Sequence, residues 1–326
     1  DLMRAPDFWW KKPGFLARSL SPLGVIYGKI AASRMDQVGV KAPRPVICVG
    51  NFVAGGAGKT PLAMKLAEIL KIDGHRPVFL SRGHGGALKG PILVDSVRHG
   101  PDDVGDEPLL LARFAPVVIA RDRAAGARVA AKHGDVIIMD DGMQNPSLFK
   151  DLTLAVVDAG QGLGNELCLP AGPLRAPFAD QAKKVDFCVS VGGPASETIK
   201  KTFTERLFQA RLVPDPMIAE QLRGERVLAV SGIGRPQKFE ASLIELGAKL
   251  VGKRAFPDHH PYSRAEFEQI LADATRLKAK PVTTEKDFVR IVACAPDRAD
   301  RIEVLPVKLA ISDEERLKKR LKSLFS

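Results

Sequence analysis

Residues 50–62, with the sequence GNFVAGGAGKTPL, constrain the fold of this chain more than any other segment. They follow an apolar run, residues 45–49, that is typical of a buried strand, and an apolar-periodic helix is predicted through about Lys71. Glycines allow backbone N–H groups to surround a phosphate, and a helix N-terminus adds positive potential. Lys59 supplies a mobile charge and Thr60 a hydroxyl for Mg²⁺. The segment therefore predicts a nucleotide phosphate-binding loop.

The loop departs in one place from the usual pattern G-x-x-x-x-G-K-[ST], because Val53 stands where the first glycine is expected. The alternative is an ordinary glycine-rich turn, but such a turn would not need a Lys-Thr pair at the start of the helix. We retain the phosphate-loop interpretation. Its predicted nucleotide-binding residues are Gly55, Gly56, Ala57, Gly58, Lys59 and Thr60.

Apolar, β-rich runs alternate with helical patterns after this point. The predicted strands are 46–49, 78–81, 117–120, 136–140, 154–158 and 187–191, and the predicted helices are 60–71, 106–114, 122–132 and about 197–207. Nearly continuous apolar strands separated by helices indicate a parallel sheet covered on both faces. The predicted fold class is α/β, with a P-loop NTPase-like three-layer α/β/α core.

A break at residues 213–216, VPDP, precedes a second alternation. Strands are predicted at 227–231, 282–284 and 304–310, with helices at 263–278 and 313–325. This pattern predicts a second, smaller α/β domain. The predicted boundaries are an N-terminal helical segment at 1–35, a P-loop kinase domain at 36–212, a linker at 213–221 and a C-terminal domain at 222–326.

The chain has 326 residues and a formal net charge of +11, which predicts an anionic partner such as a phosphorylated substrate or an anionic lipid surface. No RNP-like or zinc-finger spacing occurs, so no nucleic-acid partner is expected. The cysteines Cys48, Cys168, Cys188 and Cys294 lie far apart without a C-x-x-C pair, which favours buried thiols in a reducing compartment. No run of 18 apolar residues is present, so no membrane-spanning helix is predicted.

The N-terminal residues 8–34 combine aromatic, basic and amphipathic character. Trp9 and Trp10 adjoin two lysines. After Pro22, apolar residues recur at helical spacing, at Leu23, Ile26, Tyr27 and Ile30. This combination is typical of a helix that lies in a membrane interface, and it fits a signal peptide poorly. The alternative is an N-terminal helix packed on the core.

Two acidic pairs are candidates for chemistry. Residues 136–141, VIIMDD, are an apolar strand that ends in Asp140 and Asp141, where a carboxylate can reach the Mg²⁺ held by the loop hydroxyl. The alternative is a helix or turn cap at the end of the strand. Successive strand residues face opposite sides, so the two are expected to differ in role. Asp106 and Glu107 open a predicted helix in GDEP. They are either a general base with a metal-site carboxylate or simply a helix cap.

Four further segments carry weaker signals. SRGHGG places Arg82 after a strand, where it could meet a phosphate or a carboxylate. LPAGPLR presents Arg175 on a rigid loop, and a structural turn explains that segment equally well. FPDHHPYS contains His259 and His260, either of which could relay a proton. A zinc site there lacks a third ligand at metal spacing. TEKD, residues 284–287, has its lysine one place late for a guanine-reading motif, so a helix start is the simpler interpretation.

Together, VGNFVAGGAGKTP, SRGHGG, GDEP, DDGMQ, LPAGPLR, FPDHHPYS and TEKD resemble the tetraacyldisaccharide 4'-kinase family of Gram-negative bacteria, in order and over nearly the whole chain. The resemblance implies transfer of the ATP γ-phosphate to the 4'-hydroxyl of an acylated glucosamine disaccharide 1-phosphate. It implies ATP and Mg²⁺ as cofactors and an acylated disaccharide phosphate lipid as substrate. It also implies a peripheral location on the cytoplasmic face of the inner membrane, and it leaves the oligomeric state open.

The resemblance also implies roles for individual residues. Asp106 resembles the general base, and the histidine of the DHH motif, for which we choose His259 over His260, resembles its partner. The other implied residues are the catalytic Lys59 and Asp141, the metal-site Thr60, Glu107 and Asp140, and the substrate-binding Asn51, Arg82, Gln144 and Arg175.

The chain differs from the family pattern at His84, Met143, Asn145 and Ala176, which weakens any role for residues 84, 145 and 176. Two other functions share parts of this sequence. A membrane-associated P-loop NTPase switch would use the same loop but does not explain FPDHHPYS or a second domain. A soluble small-molecule kinase would need only a structural N-terminal helix.

Overall fold

The computed structural model describes residues 5–55 and 58–325. The helices of these residues are α1 (Phe15–Met35), α2 (Lys59–Ile72), α3 (Pro101–Val104), α4 (Asp106–Ala112), α5 (Arg123–Ala130), α6 (Phe178–Ala182), α7 (Glu197–Phe203), α8 (Pro216–Leu222), α9 (Pro236–Glu245), α10 (Arg264–Leu277), α11 (Glu285–Cys294) and α12 (Glu314–Lys322). The strands are β1 (Val46–Asn51), β2 (Pro77–Ser81), β3 (Ile92–Leu93), β4 (Val117–Ile119), β5 (Val136–Asp140), β6 (Leu152–Asp158), β7 (Phe187–Val191), β8 (Leu207–Pro214), β9 (Arg226–Ser231), β10 (Lys249–Ala255), β11 (Lys280–Thr284), β12 (Glu303–Leu305) and β13 (Val307–Ile311).

The strands form two sheets, and each sheet with its helices is called a lobe here. In the described residues, the sheet of the first lobe has the order β13-β8-β7-β6-β1-β5-β2-β4-β3, and that of the second lobe has the order β10-β9-β11-β12. The first sheet is parallel from β8 to β4, with antiparallel strands only at its two edges. The second sheet is parallel throughout.

The first lobe is a three-layer sandwich because β1 is apolar on both sides. Ile47 and Val49 face a core that includes α2 and α4, whereas Val46 and Cys48 face a core that includes α5 and α7. The predicted three-layer α/β/α class is therefore what the structure shows. Of the cysteines, Cys48 and Cys188 are buried as predicted, while Cys168 and Cys294 are only partly buried, and all are free thiols.

The C-terminal boundary of the second domain needs correction. The predicted strand at 304–310 is two strands separated by Pro306: β12 pairs with β11 in the second lobe, and β13 pairs antiparallel with β8 in the first. Helix α12 then buries Leu317 and Leu321 in the core of the first lobe. Residues 307–325 therefore belong to the first lobe and not to a domain at 222–326. The apolar run gave no sign of the change because both strands face a core.

The predicted linker at 213–221 is also shorter in the structure. Strand β8 continues to Pro214 and α8 begins at Pro216, so only Asp215 separates them. The Asp215 backbone N–H donates to the Pro306 carbonyl at 2.9 Å. The chain passes from the first lobe to the second at Asp215 and returns at Pro306, so the two connections lie side by side. Asp215 also caps α8 through its side chain. The lobes are thus joined by two adjacent crossings.

Candidate active site

The predicted phosphate loop connects β1 to α2 at the carboxyl edge of the first sheet. Gly58 has φ 87° and precedes Lys59, the first residue of α2, and Gly55 has φ 112° with open space around its Cα. These left-handed conformations are favourable for glycine and strained for other residues. Gly56 and Ala57 lie outside the described residues. The described part of the loop therefore has the backbone that the glycine pattern predicts.

Val53, which replaces the usual first glycine, lies in an isolated antiparallel bridge with Leu174. It is buried and is absent from the described residues with positive φ, so its backbone suits a β-branched residue. Next to it, Ala54 N–H donates to the Pro173 carbonyl at 2.7 Å. The LPAGPLR segment thus supports the start of the loop, which explains why valine is acceptable there.

The two acidic residues at the end of β5 have different environments. Asp140 is the last strand residue and is buried, whereas Asp141 follows it with φ 50°. Asp141 accepts hydrogen bonds from Arg175 at 2.8 and 3.2 Å and lies 3.8 Å from Lys59 Nζ. Burial acts to raise the pKa of Asp141, but the Lys59 and Arg175 cations outweigh it and hold the pKa below its usual value. Asp141 is therefore an ionised partner of the loop lysine.

One carboxylate oxygen of Asp140 has no hydrogen-bond partner among the described residues. This atom, Oδ1, is buried. Burial, followed by the nearby Glu107 carboxylate, raises the pKa of Asp140 to about 7. A buried carboxylate oxygen without a donor is costly unless a cation binds it, so this atom fits a Mg²⁺ ligand. Within residues 5–55 and 58–325 no cluster of three or more acidic, histidine or cysteine side chains could hold a metal by itself. Mg²⁺ commonly uses one or two carboxylates together with substrate phosphates.

Asp106 and His259 meet between the two lobes. Asp106 is the first residue of α4 and is buried, and His259 Nδ1 lies 3.0 and 3.1 Å from its two carboxylate oxygens. Gly105 precedes Asp106 with φ 89°, and a Cβ there would lie 2.3 Å from the His84 carbonyl oxygen, so only glycine allows this approach. A cavity of about 300 Å³ adjoins the pair and is lined in part by His84, Tyr262 and Arg290.

The charge state of the pair follows from these contacts. Burial acts to raise the pKa of Asp106, but the hydrogen bond from His259 and the charge of Lys286 outweigh it and lower the pKa. The hydrogen bond to Asp106 raises the pKa of His259, against burial and the charge of Lys286. Asp106 is therefore ionised at neutral pH, as a general base must be.

His260 has a different environment from its neighbour. Its Nε2 atom lies 3.0 Å from Glu266 Oε1, and its ring stacks on Phe256 at a centroid distance of 4.7 Å. His259, by contrast, has φ 59°, an unfavourable backbone for a non-glycine residue. Strain of this kind concentrates at functional sites. The structure therefore brings His259, and not His260, to Asp106.

The residues predicted to bind substrate separate into two groups. Arg82 is exposed. Arg175 and Gln144 instead support the phosphate loop: Arg175 Nε donates to the Val53 carbonyl at 3.2 Å, and Gln144 Nε2 donates to the Asn51 carbonyl at 2.8 Å. Asn51 itself is buried, and its Oδ1 atom has no partner in the described structure.

The sequence interpretation missed Gln181, Lys286 and Arg290. Gln181 is fully buried and donates to the Phe52 carbonyl at 3.1 Å, which fixes the start of the loop after β1. Lys286 Nζ lies 3.1 Å from His259 Nε2, and Arg290 Nε lies 3.5 Å from Asp106 Oδ2. Only Lys286 had a sequence signal, as the lysine of TEKD, and that motif was interpreted as a helix start. Thr284 does cap α11, and the buried Asp287 accepts from Gly232 N–H, so the helix start is also correct.

A second contact joins the lobes beside the loop. Asp158, at the end of β6, is buried and is ion-paired with Arg235 and Lys238 at the start of α9. The Arg235 Nη1 atom donates to Asp158 Oδ1 at 2.8 Å. The lobes are therefore held together by charged contacts on both sides of the cleft.

Helix α1 buries small residues and exposes large apolar residues. Its buried residues include the small Ala17, Gly24 and Gly28, whereas Leu23, Ile26 and Ile30 are each more than half exposed. A Cβ on Gly24 would lie 2.8 Å from the Cys168 carbonyl oxygen, so the small residues allow close packing. The structure contains no helix, among the residues it describes, with the length and apolarity to cross a bilayer. The large apolar residues of α1 therefore form an uncovered surface stripe.

The strand, glycine loop, Lys-Thr pair and neighbouring carboxylates define a P-loop phosphotransferase. A family model described as "Tetraacyldisaccharide-1-P 4'-kinase" matches residues 16–326. Among similar proteins, the tetraacyldisaccharide 4'-kinase of Methylobacterium sp. (strain 4-46) is 52% identical, with 99% of this chain and 98% of that protein covered. That of Rhodopseudomonas palustris (strain BisB5) is 47% identical over 98% and 96%.

A crystal structure of LpxK from Aquifex aeolicus in complex with ATP superposes with a TM-score of 0.74 at 27% identity, covering 96% of this chain and all of that one. The chain belongs to the tetraacyldisaccharide-1-P 4'-kinase family. The predicted family, fold class and function, ATP-dependent phosphorylation of a lipid A precursor, are confirmed by these comparisons.

Proposed function

We propose that the cleft between the lobes transfers the γ-phosphate of ATP to the 4'-hydroxyl of the acylated disaccharide 1-phosphate, with Asp106 as general base. The observation that supports this most is the contact between Asp106 and His259, which are 153 positions apart in sequence. The acceptor oxygen forms a bond to the γ-phosphorus while the bond to ADP breaks, and the hydroxyl proton passes to Asp106. The Nδ1–H group of His259 donates a hydrogen bond to Asp106 and so orients the carboxylate.

On the nucleotide side, Lys59 and the loop amides bind the phosphates, and Asp141 holds Lys59 in place. Asp140, Thr60 and Glu107 are proposed to hold Mg²⁺, directly or through water. When bound, this ion neutralises the phosphate oxygens. The buried, unpartnered Asp140 Oδ1 supports this assignment. Asn51, Gln144 and Arg175 lie at the loop, and Arg82 is exposed, where it could contact an anionic substrate group.

The direct test uses the acylated disaccharide 1-phosphate in mixed micelles with γ-labelled ATP. Label should appear in the lipid only when enzyme, ATP and Mg²⁺ are all present. The lipid without its 4'-hydroxyl should accept none. Nucleotide hydrolysis that is indifferent to the lipid would instead support an NTPase switch.

Helix α1 is proposed to bind the cytoplasmic face of the inner membrane as a peripheral anchor. Phe15, Leu23, Ile26 and Ile30 are exposed together with basic residues such as Lys29. Apolar side chains with neighbouring cations suit an anionic lipid surface, and each cation near it contributes about 1 kcal/mol. Trp9 and Trp10 are half-buried, and Trp9 Nε1 donates to the Pro170 carbonyl at 3.0 Å, so they contribute less to this surface than the sequence indicates.

The anchor is tested by replacing Leu23, Ile26 and Ile30 together with glutamine. Each exposed apolar side chain is expected to contribute about 1–2 kcal/mol to membrane binding. Removing three of them should therefore lower the affinity for vesicles with anionic lipid by about 100-fold or more. A matched control replaces three exposed apolar residues elsewhere: Ile72, Val97 and Met217. Equal vesicle binding by both triple variants would show that α1 is not the anchor and would favour a soluble kinase.

A further inference from the structure

Lys286 occupies an unusual position between the lobes. It lies near the start of α11 with only 21% of its side chain exposed, and its ammonium group lies 3.1 Å from His259 Nε2. It also lies 3.4 Å from Asp258 and 3.6 Å from Glu107. The motif that carries it, TEKD, takes no direct part in the proposed phosphate transfer.

The contact with His259 has a definite chemical meaning. An ammonium group has three donors and no acceptor, so the ring nitrogen that faces it must offer a lone pair. The single proton of a neutral imidazole is then on Nδ1, the atom that faces Asp106 at 3.0 Å. The hydrogen bond that Nε2 accepts from Lys286 thus decides that Nδ1 carries the proton.

We propose that Lys286 is a positioning residue that fixes the His259 tautomer, so that Nδ1–H is always donated to Asp106 and the carboxylate stays free to accept the acceptor proton. Without Lys286, the Asp258 carboxylate, whose Oδ1 lies 3.9 Å from Nε2, would compete with Asp106 for the ring proton and favour the tautomer protonated on Nε2. Nδ1 would then repel Asp106 instead of orienting it. This inference rests on the proposed role of Asp106 as base.

The neighbouring cation Arg290 does not replace Lys286. Its guanidinium donates to Asp287 at 2.6 Å and to the Gly232 and His260 carbonyls at 2.9 and 3.2 Å. These contacts hold the loop that carries His259. Among the described residues, Lys286 is the only cation within hydrogen-bond distance of His259 Nε2.

The tautomer can be measured without any activity assay. In protein labelled with ¹⁵N-histidine, the His259 signals, assigned by their loss in His259→Ala, should show a protonated Nδ1 and an unprotonated Nε2. In Lys286→Met these two shifts should move toward each other as tautomers mix. In Lys280→Met, an exposed lysine of the same lobe, they should stay unchanged. Identical His259 spectra in wild type and Lys286→Met would overturn the proposal.

Kinetics give a second, independent test. Lys286→Met should lower kcat about 10- to 100-fold, the usual cost of losing a supporting contact, with KM for ATP and lipid changed less than about threefold. Lys286→Gln keeps an N–H donor and should retain more kcat than Lys286→Met. A loss expressed only in KM would mean that Lys286 binds a ligand, and would contradict the proposal.

A double variant separates positioning from a general effect on folding. Lys286→Met should lower kcat little further in a His259→Ala background, because both changes remove the same function. Full additivity would contradict the inference. Failure of the wild-type enzyme to phosphorylate the lipid would instead contradict the proposed function, and the NMR result would still stand.

Discussion

Lys59 lies just after the loop that follows β1, and Asp140 and Asp141 lie at the end of the adjacent strand β5, whereas Asp106 and His259 come from different lobes. Asp140 is paired in register with Val49 of β1, the strand that leads into the phosphate loop. The contact between Asp106 and His259 instead depends on how the lobes pack. The donor side of the site, which holds Lys59, Asp140 and Asp141, is therefore positioned by the core of the first lobe. The acceptor side, which holds Asp106 and His259, is positioned by the contact between the lobes. Changes on the two sides should therefore affect nucleotide binding and turnover differently.

A large effect is expected on the side of the cleft that binds the nucleotide. Lys59→Ala removes the one cationic side chain of residues 50–62, which is proposed to bind phosphate oxygens, so it should weaken ATP binding and reduce kcat about 10³-fold, as loss of a preorganised donor does. Lys65→Ala is a matched control on α2, because Lys65 pairs with Glu68 and Glu314 away from the loop. Fluorescent-nucleotide titration and the lipid assay measure both quantities. Unaltered ATP affinity in Lys59→Ala would contradict the assignment of the loop.

A smaller effect is expected from the partner of the base. His259→Ala should lower kcat about 10- to 100-fold with ATP affinity nearly unchanged, because it removes a supporting contact to Asp106. His260→Ala should leave kcat per folded molecule within about threefold, since His260 faces Glu266. Steady-state kinetics alongside thermal unfolding separates activity from folding. The reverse ranking of these two variants would assign the partner role to His260.

The smallest effect concerns Asp140 and the metal. Burial raises the pKa of Asp140 to about 7 in the metal-free protein, so the carboxyl is about half protonated at pH 7. Binding of Mg²⁺·ATP requires the ionised form and should release about half a proton at pH 7, and progressively less at higher pH. Calorimetry in two buffers with different ionisation enthalpies measures the number of protons released on binding. The number measured for Asp140→Asn is subtracted from that of the wild type. No difference between the buffers would place the metal elsewhere.

The same contrast explains which features could be predicted from the sequence. The strand, loop and α2 are contiguous, so local periodicity and glycine placement were sufficient for the donor side. Strand β10 was missed because KLVGKRA carries three basic residues and lies half-exposed at a sheet edge. The split at Pro306 was missed because periodicity cannot tell which sheet a strand joins. Lys286 was missed because its role depends on a ring nitrogen brought close only by the packing of the lobes.

In the proposed reaction, nucleotide binding and removal of the hydroxyl proton are carried by separate sides of the cleft. Asp106→Asn tests this separation most directly, because asparagine keeps the size of the side chain but cannot accept the hydroxyl proton. Its kcat for lipid phosphorylation and its affinity for Mg²⁺·ATP should be measured on the same preparation. The account predicts that kcat falls about 10²- to 10⁴-fold while the affinity changes less than about twofold. Full turnover by Asp106→Asn, or a loss of nucleotide binding that accounts for the lost rate, would contradict it.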